Sequence, residues 1–360
     1  MGLTSPALVV VLATAAVVAL AGTLWWWRRL AGPGWRPVML RIAAVLSLQV
    51  SVLGLIFVVA NRSAEFYSSW SDLFGTDSAS GAIVAVGAGS SQTIALVKVI
   101  SAAPVPVPGR RRMQGGRLQT VQIHGQLSGL TAPGYVYLPP RYQRAPATAT
   151  PLPIVVVISD QLGSKGSAFS AGRLAATAAG QIAAGRLKPL IMVMLPARVG
   201  SKADAADQGC LDVPAGPQVG TFFAQDLPQA VESAYRAVSG PAGWALLADS
   251  SGGYCAVQLA MTDSQVYSVA VAPPADYAVP PGSGEFGGSP QIAAEDDLLW
   301  RLQHQPMQPI SVLFAGPGQA RAFLSLVRPP MRVRSIPLTA GNWPLAPVLA
   351  WIGRTMGTQS

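Results

Sequence analysis

Residues 244–261 constrain this chain more than any other stretch. An apolar run, Trp244-Ala245-Leu246-Leu247-Ala248, leads through Asp249-Ser250-Ser251-Gly252-Gly253 into a segment of helical character. A buried strand, a very tight turn and a helix is the structure this order predicts, because small residues at Ala248 and Gly252 permit a sharp bend. Such a bend projects the Ser250 hydroxyl above the strand ends, where a nucleophile is accessible. The purely structural alternative is that Ser250 or Ser251 caps the helix by accepting a backbone N–H.

The surroundings of the turn predict a mixed architecture. From about residue 118, short apolar runs alternate with helix-like stretches, the sequence form of an α/β domain with a largely parallel central sheet. Strands are expected at 120–123, 134–138, 154–158, 190–195, 244–247, 268–272, 310–315 and 333–337, and helices at 168–184, 221–235, 253–261, 294–303, 319–327 and 346–355. No internal repeat is visible.

Composition matters most at the N-terminus. The chain has 360 residues, 50% of them hydrophobic and only 11% charged, enough for one full-sized core with apolar residues left over for a membrane. Residues 7–24 and 42–60 carry no charge, and each run is close to the roughly 20 residues that cross a hydrocarbon layer of about 30 Å. Between them lie Arg28, Arg29, Arg36 and Arg41. By the positive-inside rule that loop is cytoplasmic, so residues 1–60 read as a transmembrane helical hairpin and everything after it as extracytoplasmic. Trp25, Trp26, Trp27 and Trp35 fit an interfacial belt. A cleaved signal peptide is disfavoured, because the basic residues follow the first apolar run instead of preceding it.

Residues 61–117 read as a neck ending in a Pro-rich linker: proline restricts both itself and its predecessor, so Ala103 to Gly109 should be extended. Residues 81–100 are a candidate third membrane element, weakened by glycine, Gln92 and Lys98. The net charge of +9 includes Arg110, Arg111, Arg112 and Arg117. These are most simply a solvated linker, or else an attraction to anionic lipid heads or acidic envelope polymers. The only two cysteines, Cys210 and Cys255, fall in the exported part. There an oxidising compartment favours one disulfide over two unlinked thiols.

Several motifs in one order carry a family resemblance: Tyr135-Val136-Tyr137-Leu138-Pro139-Pro140-Arg141-Tyr142, the run 153–158, Cys210-Leu211-Asp212 with residues 221–228, the turn 249–256, and Gly341-Asn342-Trp343 with residues 349–352. Over residues 119–353 the chain resembles the esterase family that includes the antigen 85 mycolyltransferases and esterase D. The resemblance implies an α/β-hydrolase fold over residues 118–360 and, in active members, acyl transfer or ester hydrolysis through a serine, an acid and a histidine. It maps the serine onto Ser250. Antigen 85 relatives further imply an actinobacterial cell envelope and trehalose-mycolate chemistry.

The other two members of that triad do not carry over. The family's acid follows the strand at 310–315, where this chain reads Gly316-Pro317-Gly318-Gln319-Ala320-Arg321, and no Asp or Glu occurs from Leu298 to Ser360. The family's histidine precedes an Asn-Trp pair, and here that slot is Gly341. Active relatives end the early strand with His-Gly, whereas this chain has Ser159-Asp160, and a carboxylate facing a developing oxyanion would oppose it. Only His124 and His304 exist. His304 reads as an exposed helix-end residue, and His124 precedes a hairpin-like start to the domain. Asp249 adjoins the serine but should point elsewhere, and Glu295-Asp296-Asp297 reads as an acidic first helical turn.

The histidines lack paired spacing and no Gly-x-Gly-x-x-Gly or P-loop occurs, so no cofactor and no metal site is expected. Two function classes remain. One is a membrane-anchored pseudoenzyme with a vestigial Ser250, binding an acylated glycan or an envelope protein. The other is a serine esterase or acyltransferase acting on envelope lipid or glycolipid esters, with Ser250 as active nucleophile. The simultaneous change of acid, histidine and oxyanion signatures favours the first. Besides the bilayer, nucleic acid is not an expected partner outside the membrane.

Overall fold

The computed structural model describes residues 95–107, 115–142, 146, 149–164, 166–199, 210–212, 216–275, 277–278, 294, 296–316, 320–337 and 343–356, with scattered residues between 13 and 56. The chain divides into two compact units, Met1–Val84 and Ala85–Ser360.

In the second unit the middle of the sheet is dictated by continuous apolar runs. Strands β4 (Ile154–Ile158), β5 (Ile191–Leu195), β6 (Trp244–Ala248), β7 (Val269–Ala272) and β8 (Ser311–Gly316) are buried at every position. That pattern belongs to parallel strands covered on both faces. With β1 (Val97–Pro104), β2 (Arg117–His124), β3 (Thr131–Leu138) and β9 (Arg332–Pro337) they form a nine-stranded sheet in the order β1-β2-β3-β5-β4-β6-β7-β8-β9. The first strands pair antiparallel through β3 and β5, and from β5 to β9 all pairing is parallel.

The period of two along each strand separates two cores. Ile154, Val156, Ile158, Leu246 and Ala248 face one layer, which holds α2 (Leu227–Ala234), α3 (Gly253–Thr262) and α4 (Leu298–His304). Val155, Val157, Ala245 and Leu247 face the other, which holds α1 (Ala171–Ala183) and α6 (Leu345–Met356). A short α5 (Arg321–Leu326) precedes β9. Ahead of α2 the chain passes through a π turn, Phe222–Asp226. Every strand and helix expected from residue 118 onward has a counterpart.

The first strand was not expected. β1 lies inside the 61–117 stretch that reads as a neck, and Val105 and Val107 beyond it are buried against Tyr137 and the α1 layer. The extended Pro-rich run is therefore in part the rim of the sheet, because its valines find an apolar partner. In the first unit every described residue is helical. Among the described residues no helix is long and apolar enough to cross a membrane, so the spans read at 7–24 and 42–60 are not established there. The candidate membrane stretch 81–100 is strand from Val97 onward, and its residues 81–94 lie outside the described residues.

Candidate active site

Strand order reverses around β4: the chain leaves β4 for β5 on one side and returns to β6 on the other. In open parallel sheets the crevice at the carboxyl ends beside such a reversal is where ligands bind. The carboxyl ends of β4 and β6 carry Ser159-Asp160 and Asp249-Ser250, so the serine turn stands at that crevice. Ser250 and Ser251 are exposed, while Asp249 is only 2% exposed. Gly252 has an ordinary backbone conformation. It is needed for closeness: a methyl group there would lie 2.5 Å from the Ile158 carbonyl oxygen.

A polar network closes the mouth of this turn. The Ser159 hydroxyl, fully buried, donates to Asp249 Oδ2 at 2.5 Å. Asp249 Oδ1 accepts from the Ser251 hydroxyl at 2.6 Å and from the Ser251 N–H at 3.0 Å. Ser251 Oγ in turn accepts the Asp160 N–H at 3.0 Å, and Ser159 Oγ accepts the Gln161 N–H at 3.0 Å. In serine hydrolases of this turn type, the oxyanion donors are the N–H after the nucleophile and an N–H from the loop following the early strand. Here the corresponding groups, on Ser251 and Asp160, both donate within the protein.

The Asp160 carboxylate does not face the turn. It accepts from the Ala197 N–H at 3.0 Å and pairs with Arg198 at 3.1 Å, across the end of β5. Electrostatic opposition to an oxyanion, expected from its place in the sequence, is thus relieved by geometry. Asp249, expected to point away from its neighbour Ser250, bonds to Ser159 and Ser251 and is the hub of the network. Its signal in the sequence was a double one: polar residues at the ends of two neighbouring buried strands, which must satisfy each other once buried.

Neither histidine serves Ser250. His124 Nδ1 is 2.9 Å from Thr131 Oγ1 on the antiparallel part of the sheet. It lies four strand spacings from β6, roughly 19 Å at about 4.8 Å per strand. His304 donates from Nδ1 to the Trp300 carbonyl at 2.9 Å and stacks on the Trp300 ring at 4.5 Å. α4 runs beside α3, since Asp296 meets Tyr254 and Gln258, whereas Arg301, Leu302 and Gln305 share a shallow cleft with Met261. His304 therefore sits by the far end of α3, roughly 15 Å from the turn at 1.5 Å per helical residue.

Other groups near the turn are also committed. Asp297 caps α4, accepting from Leu299 N–H at 2.8 Å and Trp300 N–H at 3.1 Å. The Asp296 carboxylate accepts from the Gln258 amide. Burial, aided by Asp296 and Asp297, pushes the Tyr254 phenol above its ordinary 10.0, so it stays protonated and is no base. The acid slot at 317–319 and the histidine slot at 338–342 lie outside the described residues. Their flanks are ordered: β8 ends at Gly316, and Trp343 packs edge-on against Phe169 at 4.9 Å.

Cys210 and Cys255 form a disulfide with α-carbons 5.0 Å apart. It ties α3, just beyond the turn, to the segment where Asp212 accepts from the Thr221 N–H at 2.8 Å and hydroxyl at 2.6 Å.

A family model described as "Putative esterase" matches residues 129–309, just over half of the chain. Among solved structures, a ferulic acid esterase superposes with a TM-score of 0.53 at 15% identity, covering 66% of this chain and 98% of that one. An S-formylglutathione hydrolase from Agrobacterium tumefaciens gives 0.52 at 14% identity, covering 68% and 97%. No curated protein matches the chain. The two superpositions show a fold shared with a ferulic acid esterase and an S-formylglutathione hydrolase, and the family match over half of its length places the chain in the "Putative esterase" family.

Proposed function

We propose that this chain is a membrane-anchored, extracytoplasmic esterase-family domain in which Ser250 is no longer driven by a serine–histidine–acid relay. In this reading the domain acts in the cell envelope as a binding or scaffolding module for an acylated glycan or an envelope protein. The observation that carries the reading is that both histidines of the chain are engaged away from Ser250. A serine hydroxyl is a weak nucleophile unless a base lies within about 3 Å. One finding adds support: the oxyanion donors are spent inside the turn.

Anchoring is supported by the first unit, where Val17, Val18, Trp25, Trp35, Val50 and Leu53 are each at least 65% exposed on helical backbone. Large apolar side chains so exposed are matched by an apolar surrounding. The topology is tested by a reporter fused after Ser360: one that works only outside the cytoplasm is expected to be active, and activity of a cytoplasm-only reporter would refute the hairpin.

The second reading, a serine esterase or acyltransferase on envelope esters, is favoured by family membership itself. Labelling of the full chain with an alkyl fluorophosphonate, beside Ser250→Ala, separates the two. The proposal expects no Ser250-dependent labelling, and rapid labelling that the substitution abolishes would restore the enzyme.

A further inference from the structure

The hydroxyl of this turn that has a base is not the one at the family's nucleophile position. Ser251 is exposed, and its hydroxyl donates at 2.6 Å to Asp249, a carboxylate that is 2% exposed. The other oxygen of that carboxylate is held by the buried Ser159 hydroxyl at 2.5 Å. A nucleophile within hydrogen-bond reach of a base, with the base oriented by a third group, is the general signature of an activated serine. We propose that Ser251 accepts an acyl group from an activated ester, with Asp249 as its base and Ser159 positioning that base.

The step balances without any further reactant. Ser251 Oγ attacks the ester carbonyl carbon and forms the new C–O bond, while its proton passes to Asp249 Oδ1. The bond from that carbon to the alcohol oxygen then breaks, and the departing alkoxide takes the proton back from Asp249. An alcohol is released and the acyl group stays on Ser251. As Ser251 Oγ turns to the carbonyl carbon it gives up the Asp160 N–H, leaving that donor free beside the developing oxyanion. The Asp160 carboxylate, engaged by Arg198, does not oppose the charge. No histidine is at hand to activate water against the acyl-serine, so the group is retained. The substrate class is an ester with a good leaving group, and the result is one covalent acyl per chain. This goes beyond the binding-module reading and does not depend on Ser250.

The test incubates the full chain in detergent with p-nitrophenyl butyrate, reads the intact mass, and locates the butyryl group by peptide fragmentation. One butyryl group on Ser251 is the expected result. Ser251→Ala should lose it, and Asp249→Asn should slow its formation by about 100-fold, the usual weight of a general base. A butyryl group on Ser250 would overturn both this inference and the binding-module reading. No acylation of either serine would overturn this inference alone, and an unchanged rate in Asp249→Asn would remove Asp249 as base. Should either variant fail to fold, the site mapped on the unaltered chain decides.

Discussion

Two buried aspartates show how the same side chain can be structural in one place and poised for chemistry in another. Asp226, 2% exposed, accepts from the Leu127 and Ser128 N–H groups at 2.9 Å each and from the Ser128 hydroxyl at 2.6 Å, fastening the β2–β3 turn to the π turn. Burial alone would raise its pKa, but these hydrogen bonds outweigh it and hold the carboxyl below its ordinary 3.8. Its contribution to stability is therefore complete above 3.8 and is lost as pH falls through the lower folded-state value. Asp226→Asn should lower stability by about 1–3 kcal/mol at neutral pH. Melting curves of both chains across pH check this: the gap should narrow in strong acid, and a gap that persists unchanged would refute the assignment. Asp249 differs in that its partner hydroxyl is exposed. Ser250 was legible from the residues around the turn. Asp249 was legible only as a polar end to a buried strand, because its role depends on Ser159, 90 positions away.

Among elements, legibility followed burial. β4 to β8 read directly because both faces of each strand are covered and their only polar position is Ser311, at the start of β8. β1 escaped because it is an edge strand, half-exposed along its length and ending in proline, so its composition resembles linker. Edge strands are blunted in this way when pairing with other chains is to be avoided. The break of α2 into a π turn has no local signature; it is where Asp226 reaches the β2–β3 turn. The cysteines suggested a bridge from count and compartment, and the fold brings α3 to Cys210. They are 45 positions apart in sequence, and closing that loop restricts the unfolded chain by about 4 kcal/mol. Reducing the bridge, or replacing both cysteines by alanine, should lower unfolding stability by that order in a denaturant titration. No loss at all would mean that the bridge constrains nothing.

At the scale of the whole molecule, fold and function separate. The stretch that matches the esterase family, residues 129–309, spans the reversal at β4 and the serine turn. Those inherited features leave activity open, because function resides in the site and not in the fold. The fold class was legible because several motifs occur in family order; the state of the site was legible mainly as absences, in the residues after β8 and before Trp343. What the structure added is where the remaining polar groups went. The N–H donors turned inward, and the two histidines were engaged at a distance from the turn. Loss of one triad member costs about 10⁴-fold in rate, and here the acid, the histidine and the oxyanion donors are all altered. The most direct test is the rate constant for phosphonylation of the full chain by an alkyl fluorophosphonate, compared with Ser250→Ala. Equal rates are predicted for the two chains; a rate about 10³-fold or more above that of Ser250→Ala would contradict the account, because only an activated Ser250 could supply the difference.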